Sequence, residues 1–322
     1  MFEIEYWHPE MVGNNSERFI ERCLRVAYRS EGKMTEDSYR EIVPRVVTKN
    51  KDYSVAEHVG YYFRLEINNA ELDEETVTSS LLELLEINPL IEWDYSDKEM
   101  LKLLLNGRQL IELLSAGLHK TNVIVSLVLC DIRNNFVNIL DKLNPEKAPY
   151  LPFFFGYRGG MAHTTHEPNP KFILATYFIK NVSRITETQW VRHRRMSYTV
   201  MSGRGVDFRD QPFICPVSVK KPDGSGPNWF ALRTMNDCKD VYEHLLEEKI
   251  PKQDARYFLP QGMGTEMVVT ASLKWWNYFF SLRSVKPAQW EIRNISCAIQ
   301  KDLHSRFPTM VEAPKEEHAN SN

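Results

Sequence analysis

The chain of 322 residues is 43% hydrophobic and 11% aromatic, with a formal net charge of −3 and a pI near 6.3. That composition supports one large domain or two ordinary ones around a substantial core, and it excludes a global field that would draw nucleic acid or an anionic membrane. No uninterrupted apolar run is long enough to span a bilayer, and Met1-Phe2-Glu3-Ile4-Glu5 lacks the basic start and apolar run of a secretory signal.

Residues 3–7 alternate and predict a strand. Ser16 to Tyr28 predicts a helix with Phe19, Ile20, Cys23, Leu24 and Val26 on one broad face, and Thr35 to Val47 a second, shorter helix. Ser54-Val55-Ala56-Glu57-His58 precedes an aromatic, alternating strand that runs to Glu66. Ser54, Glu57 and His58 either belong to a loop that delivers side chains to a site or form a Ser-x-x-Glu capping box. From Asn68 to about Lys171 the chain is leucine-rich with helical periodicity. Ser96-Asp97-Lys98-Glu99 predicts the capping box of a helix running to Gly117, which Asn106-Gly107-Arg108 interrupts with a bend or a close approach, and Thr121 to Leu143 predicts another helix. Phe172 to Lys180 reads as a strand and Ser183 to Val191 as a helix. Further helices are expected from Thr234 to Lys249, from Pro251, from Thr265 to Leu282 (very aromatic) and from Pro287 to Phe307. The polar tail at 311–322 is expected to be disordered. No internal repeat is visible in the sequence.

The stretch from Gln189-Trp190-Val191-Arg192-His193-Arg194-Arg195 to Ser202-Gly203-Arg204 stands apart, because no carboxylate occurs between Glu187 and Asp207. A solvated charged face mixes signs. A run of one sign suits an anion, for which arginine supplies a planar, permanently charged fork. Ser202 and the Gly203 amide add neutral donors. The simpler alternative, for Arg-His-Arg taken alone, is a basic surface loop.

The remaining candidates are weaker. Cys215, in the strand-like run Phe213 to Val217, has no adjacent base to make it a nucleophile. His163-Thr164-Thr165-His166-Glu167 suggests metal ligands, but the surrounding Gly and Pro make it a loop rather than a helix with both histidines on one face, so no metal is expected. Cys23, Cys130, Cys215, Cys238 and Cys297 are scattered without a CxxC, so reduced thiols and a cytoplasmic setting are the default.

Taken together, the motifs resemble those of the flavin-dependent thymidylate synthases. That family's signature of Arg-His-Arg, seven residues and Ser is similar to Arg192-His193-Arg194 followed by Ser202. In the family's order, Ser54-Val55-Ala56-Glu57-His58 resembles its Ser/Thr-Pro-x-Glu-His segment, and Gln189-Trp190 the pair before the signature. Ala255-Arg256-Tyr257-Phe258-Leu259-Pro260 resembles its Ala-Arg-x-x-Leu-Pro. Leu282-Arg283 with Ala288-Gln289-Trp290-Glu291-Ile292 resembles its Leu-Arg then Ala-Gln-x-Glu-Ile run. The resemblance covers residues 15 to 65 and 172 to 308, with a mainly helical insertion at about 68–171 in a single domain that ends near residue 310.

The resemblance implies an α/β (α+β) fold with a mainly antiparallel sheet flanked by helices. It implies a homotetramer with FAD bound across subunits, dUMP beside the flavin, and methylenetetrahydrofolate and NADPH as co-substrates. Carried over by position, Ser54, Arg192, His193 and Arg194 are expected on FAD, as are Ser272, Lys274 and Tyr278, where the family normally has Asn-x-Arg and a further polar residue. Gln189, Arg192, Ser202, Gly203, Arg204 and Arg256 are expected on dUMP. Arg283 is expected to face the uracil and favour ionisation at N3. Val200 stands where the family has Gln or Glu, Gly205 where an aromatic is usual, and Lys51-Asp52-Tyr53 where Gly-His-Glu is usual. Asn106-Gly107-Arg108 resembles an Asn-x-Arg helix that some members carry in such an insertion, which places it near the active-site mouth. Two other outcomes fit these departures: a pyrimidine-nucleotide enzyme with different C5 chemistry, or a nucleotide-binding relative without flavin chemistry. No nucleic-acid or membrane partner is expected.

Overall fold

The structure, a computed structural model, describes residues 2–67, 73–132, 136–143, 158–163, 167–219, 221, 225–226 and 228–315. Two four-stranded antiparallel sheets organise them. The first contains β1 (Glu3–Trp7), β6 (Leu174–Ser183), β7 (Ser197–Val200) and β8 (Gly264–Ser272) in the order β1-β6-β8-β7. The second contains β2 (Gly60–Glu66), β3 (Glu92–Asp97), β4 (Met100–Asn106) and β5 (Arg158–Met161) in the order β3-β4-β2-β5. The fold is thus mixed α and β with antiparallel pairing, as the resemblance implied.

The period-two alternation of strands decides where each face packs. From β6 and β8, Tyr177, Ile179, Met267, Val269 and Ala271 face one core with Trp276, Phe279 and Phe280 of α10 (Leu273–Arg283) and Ile292, Ile295 and Ile299 of α11 (Trp290–Arg306). Phe178 and Val268 point the other way, into a core with Phe19, Ile20 and Leu24 of α1 (Ser16–Ala27). That second core extends across β2 and β4 to α3 (Glu74–Ile87), α4 (Gly107–Ser115), α5 (Val123–Ile132) and α6 (Val137–Leu143).

Several sequence expectations are corrected. The segment from Thr265 to Leu282 is not one helix: Gly264–Ser272 is a strand and only Leu273–Arg283 is helical. Strand β8 is covered on both faces, so it reads as a continuous run rather than an alternating one. The 96–117 helix is likewise a hairpin followed by a helix. Asp97 accepts from the Glu99 amide in the turn, and Leu101, Leu103 and Leu105 alternate into the core along β4. Asn106 is not at a bend; it caps α4, its side chain accepting from the Gln109 amide while Gln109 accepts from the Asn106 amide, both at 2.9 Å. Among its described residues the 68–171 insertion therefore carries three strands besides its helices. Within Thr121 to Leu143 the described helical stretches are α5 and α6, and residues 133–135 between them lie outside the described residues. The second helix shortens to α2 (Tyr39–Pro44), which continues as the wide turn Arg45–Lys49. Phe213 makes only an isolated bridge to Met263, so the run around Cys215 is not a strand. The tail beyond residue 315 lies outside the described residues. Helices α7 (Arg184–Trp190), α8 (Trp229–Glu247) and α9 (Lys252–Ala255) complete the chain, α8 starting earlier than Thr234 because Asn228 caps it.

Candidate functional site

Strand β6 hands directly to α7, and a buried carboxylate fixes that junction. Glu291 of α11 accepts from the Ser183 amide at 2.7 Å and from the Ser183 hydroxyl, and Ser183 caps α7 through the Thr186 amide. The helix ends at Trp190, which is fully buried and stacks on Phe279 with ring centroids 4.7 Å apart. The basic segment then turns tightly, with the His193 amide on the Trp190 carbonyl and the Met196 amide on the His193 carbonyl. The Tyr198 hydroxyl lies 2.8 Å from the Trp190 carbonyl and 2.9 Å from that of His193, able to donate to one at a time. Arg192, Arg194 and Arg195 are left exposed on the outside of this turn.

On the inner side His193 packs edge-on against Phe279, and its Nε2 accepts from Arg283 Nε at 3.0 Å. Burial, together with the Arg283 charge, lowers the His193 pKa to about 4. The imidazole is therefore neutral near pH 7 and holds the guanidinium as an acceptor rather than repelling it. The structure thus joins two expected site residues that lie far apart in sequence.

Two cavities flank the segment. The first, of about 400 Å³, lies between the sheets. Arg194, Arg195 and Tyr198 form one wall, Thr270, Ser272 and Trp275 a second, and Glu57, Glu92 and Arg108 face them. Ser272 is 3% exposed and its hydroxyl has no partner among the described residues, although it starts α10. Arg108 is held by Glu57 at 2.8 Å and Glu112 at 2.7 Å. The second cavity, of about 340 Å³, lies where Arg184 and Thr188 of α7 meet Gly203 and Arg256. A Cβ on Gly203 would stand 2.8 Å from Arg256 Nη1, so only glycine lets the guanidinium lie against this turn. The Ser202 amide is tied to the Ala27 carbonyl, and its hydroxyl accepts from the Arg204 amide at 3.3 Å.

Other expected residues are placed elsewhere. Lys274 lies 3.6 Å from Glu92 Oε2 instead of reaching freely into the cavity. Tyr278 is 53% exposed, edge-on to Trp275. Ser54 donates to Asp52 at 2.6 Å and caps nothing, so the capping-box alternative fails for the turn segment Tyr53–His58. That turn delivers Glu57 to the cavity but buries His58, whose Nδ1 and Nε2 meet Thr270 at 2.8 Å and Thr199 at 2.9 Å. Gln189 sits half-buried on α7, one residue from Thr188. His163 bonds to Thr176, while Glu167 accepts from Tyr62; His166 lies outside the described residues. Sequence reasoning missed Glu92, which pairs with Lys171 and Lys274, lies 3.9 Å from Arg195 and accepts from Trp275 Nε1 at 2.7 Å. Glu92 precedes the helix expected from Ser96, in a stretch whose only sequence signal is its leucine-rich helical periodicity, so its facing has no signature there.

Comparison with known proteins places this geometry. Residues 160–309, which carry most of both cavities, match the family model described as thymidylate synthase complementing protein. A flavin-dependent thymidylate synthase of Pyrococcus horikoshii is 34% identical over 171 residues, covering 52% of this chain and 67% of its own length. The chain belongs to the flavin-dependent thymidylate synthase family. The like-named protein of Pyrococcus abyssi is 31% identical over 171 residues (52% of this chain, 66% of that protein), and that of Saccharolobus solfataricus 37% over 137 residues (42% and 51%). The chain thus spans about half to two thirds of the length of these relatives. The family model covers β6, the basic turn, β8 and α10, whereas Glu57, Glu92 and Arg108 precede it.

Proposed function

We propose that this chain reductively methylates dUMP to dTMP, with FAD as cofactor and methylenetetrahydrofolate and NADPH as co-substrates. The observation that carries the reading is the Arg283–His193 contact, which fixes a cation from the end of α10 against the basic turn. Gly203 and Arg256 fit a nucleotide phosphate, with Gln189, Ser202 and Arg204 on the same segment to hold the ribose and phosphate. Arg283, positioned by neutral His193, stabilises negative charge as it forms at the uracil N3. The first cavity fits a flavin in its donor set: the Ser272 hydroxyl, which has no partner among the described residues, the aromatic Trp275 and Tyr198, and the cations Arg194 and Arg195 for a diphosphate. When bound, the flavin supplies the reducing equivalents that complete the methyl group. The chain's own part is to bind, orient and exclude water. Assembly as a homotetramer in the cytoplasm completes the proposal.

The test is conversion of dUMP to dTMP with all three co-reactants. Arg256→Ala is expected to raise the KM for dUMP about tenfold or more, and Arg283→Ala to lower kcat by about a hundredfold. Absence of dTMP from the complete mixture would refute the reading. One observation favours the alternative of nucleotide binding without flavin chemistry: Glu92 already engages Lys274. Retention of dUMP with no turnover would select it.

A further inference from the structure

The two sheets share one construction. In the first, β6 leads through α7 to the outer strand β7, and β8 then runs between them into α10. In the second, β2 leads through α3 to the outer strand β3, and β4 runs between them into α4. Written from the outer strand, the orders are β7-β8-β6-β1 and β3-β4-β2-β5, antiparallel throughout. The fourth strands differ in chain position, since β1 precedes its unit and β5 follows.

The registers make residues equivalent one by one. Leu174 pairs with Ser272 as Gly60 pairs with Asn106, and Ser197 pairs with Thr270 as Glu92 pairs with Leu104. The Leu273 amide donates to the Ile173 carbonyl at 2.9 Å, and at the equivalent place the Gly107 amide donates to Val59 at 3.0 Å. Lys274 and Arg108 are both exposed, and Trp276, Phe279 and Phe280 are buried where Leu110, Leu113 and Leu114 are.

Equivalent residues also meet across a pseudo-two-fold axis. A Cβ on Gly60 would lie 2.5 Å from Leu174 Cδ1, and Ala162 bonds to the backbone of both residues. His58, two residues before Gly60, reaches Thr270. Phe172, two before Leu174, packs in one cluster with Leu104, the equivalent of Thr270. The first cavity lies between the units and takes equivalent positions from each: Glu92 and Ser197, Asn106 and Ser272, Gln109 and Trp275.

We propose that the chain contains two copies of one strand–helix unit, and that the cavity between them is a single composite site completed within one chain. Each copy supplies what the other has lost. Before its outer strand the C-terminal copy has Arg194-Arg195, where the N-terminal copy has Pro89-Leu90. At its helix start the N-terminal copy has Asn106-Gly107-Arg108, where the C-terminal copy has Ser272-Leu273-Lys274. A large aromatic anion of the flavin dinucleotide class is the ligand; that class rests on the function proposed above, whereas the two-copy site does not.

The test is a FAD titration by fluorescence of wild type, Arg108→Ala and Arg194→Ala, and of a hybrid of the two variants co-expressed with different tags. The expected result is one FAD per wild-type chain, about tenfold weaker binding in each variant at unchanged melting temperature, and no sites of wild-type affinity in the hybrid. Recovery of wild-type sites in the hybrid, or binding indifferent to Arg108, would overturn the proposal. If wild type binds no FAD, the flavin reading fails, and carbodiimide cross-linking of a co-refolded mixture of 15N-labelled and unlabelled chains decides the composite site independently. Lys274 and Glu92, 3.6 Å apart, are expected to link within one chain; links found only between labelled and unlabelled chains would overturn it.

Discussion

Ser272 and His58 are both buried polar residues beside the first cavity, and they differ in what satisfies them. The Ser272 hydroxyl has no partner among the described residues, so its removal costs the fold little. Ser272→Ala is expected to change stability by less than about 0.5 kcal/mol while weakening FAD several-fold, a split that urea unfolding and FAD titration read separately. His58 instead uses both ring nitrogens, and its loss strands the Thr199 hydroxyl in the interior and leaves that of Thr270 with its bond to Thr176. His58→Ala is expected to cost about 2–4 kcal/mol, seen as a lower urea midpoint. The residues carried over from the motifs divide in the same way. His193, Arg283, Gly203 and Arg256 were legible because arginine-rich spacing reports on anion chemistry directly. The facing of Lys274 toward Glu92 was not, because it depends on a strand pairing with no sequence signature of its own.

At the scale of elements, the start of α4 is held tightly to the turn Tyr53–His58. A Cβ on Gly107 would lie 2.5 Å from the Ala56 carbonyl oxygen, a backbone atom that cannot swing aside. Gly107→Ala is therefore expected to destabilise by about 1–3 kcal/mol and to weaken FAD, because both elements wall the cavity. A melting temperature equal to wild type would show that the junction yields. Elements with one buried face, such as α1 and α11, were legible from periodicity. Strands β4 and β8 were not, for a physical reason: Leu101 to Leu105 and Met267 to Ala271 are almost wholly buried and therefore apolar nearly throughout. Each strand runs directly into a helix, so a strand-to-helix junction looked like one longer helix. The same effect hid the repeat, since equivalence lies in pairing and register while side chains such as Asn106 and Ser272 have diverged.

Across the whole molecule, His58 and His163 join the two sheets through Thr270, Thr199 and Thr176. Burial lowers both histidines to pKa values of about 3. Their folded pKa values lie below the unfolded value near 6.5, so the unfolded chain binds more protons between those limits. Stability is therefore full above about pH 6.5 and is lost as pH falls, by roughly 1.4 kcal/mol per pH unit for each histidine down to about pH 3. Urea midpoints measured from pH 7 to pH 4 are expected to fall steadily, and His58→Leu to flatten the slope. A wild-type midpoint independent of pH would contradict this role.

The most direct measurement is the visible absorption spectrum of the purified protein, saturated with FAD in the presence of dUMP and passed through a desalting column. The expected result is a retained flavin spectrum at one equivalent per chain, lost in Arg194→Ala. A colourless protein that still binds dUMP would contradict the central claim, and would leave the basic turn as a nucleotide site without flavin chemistry.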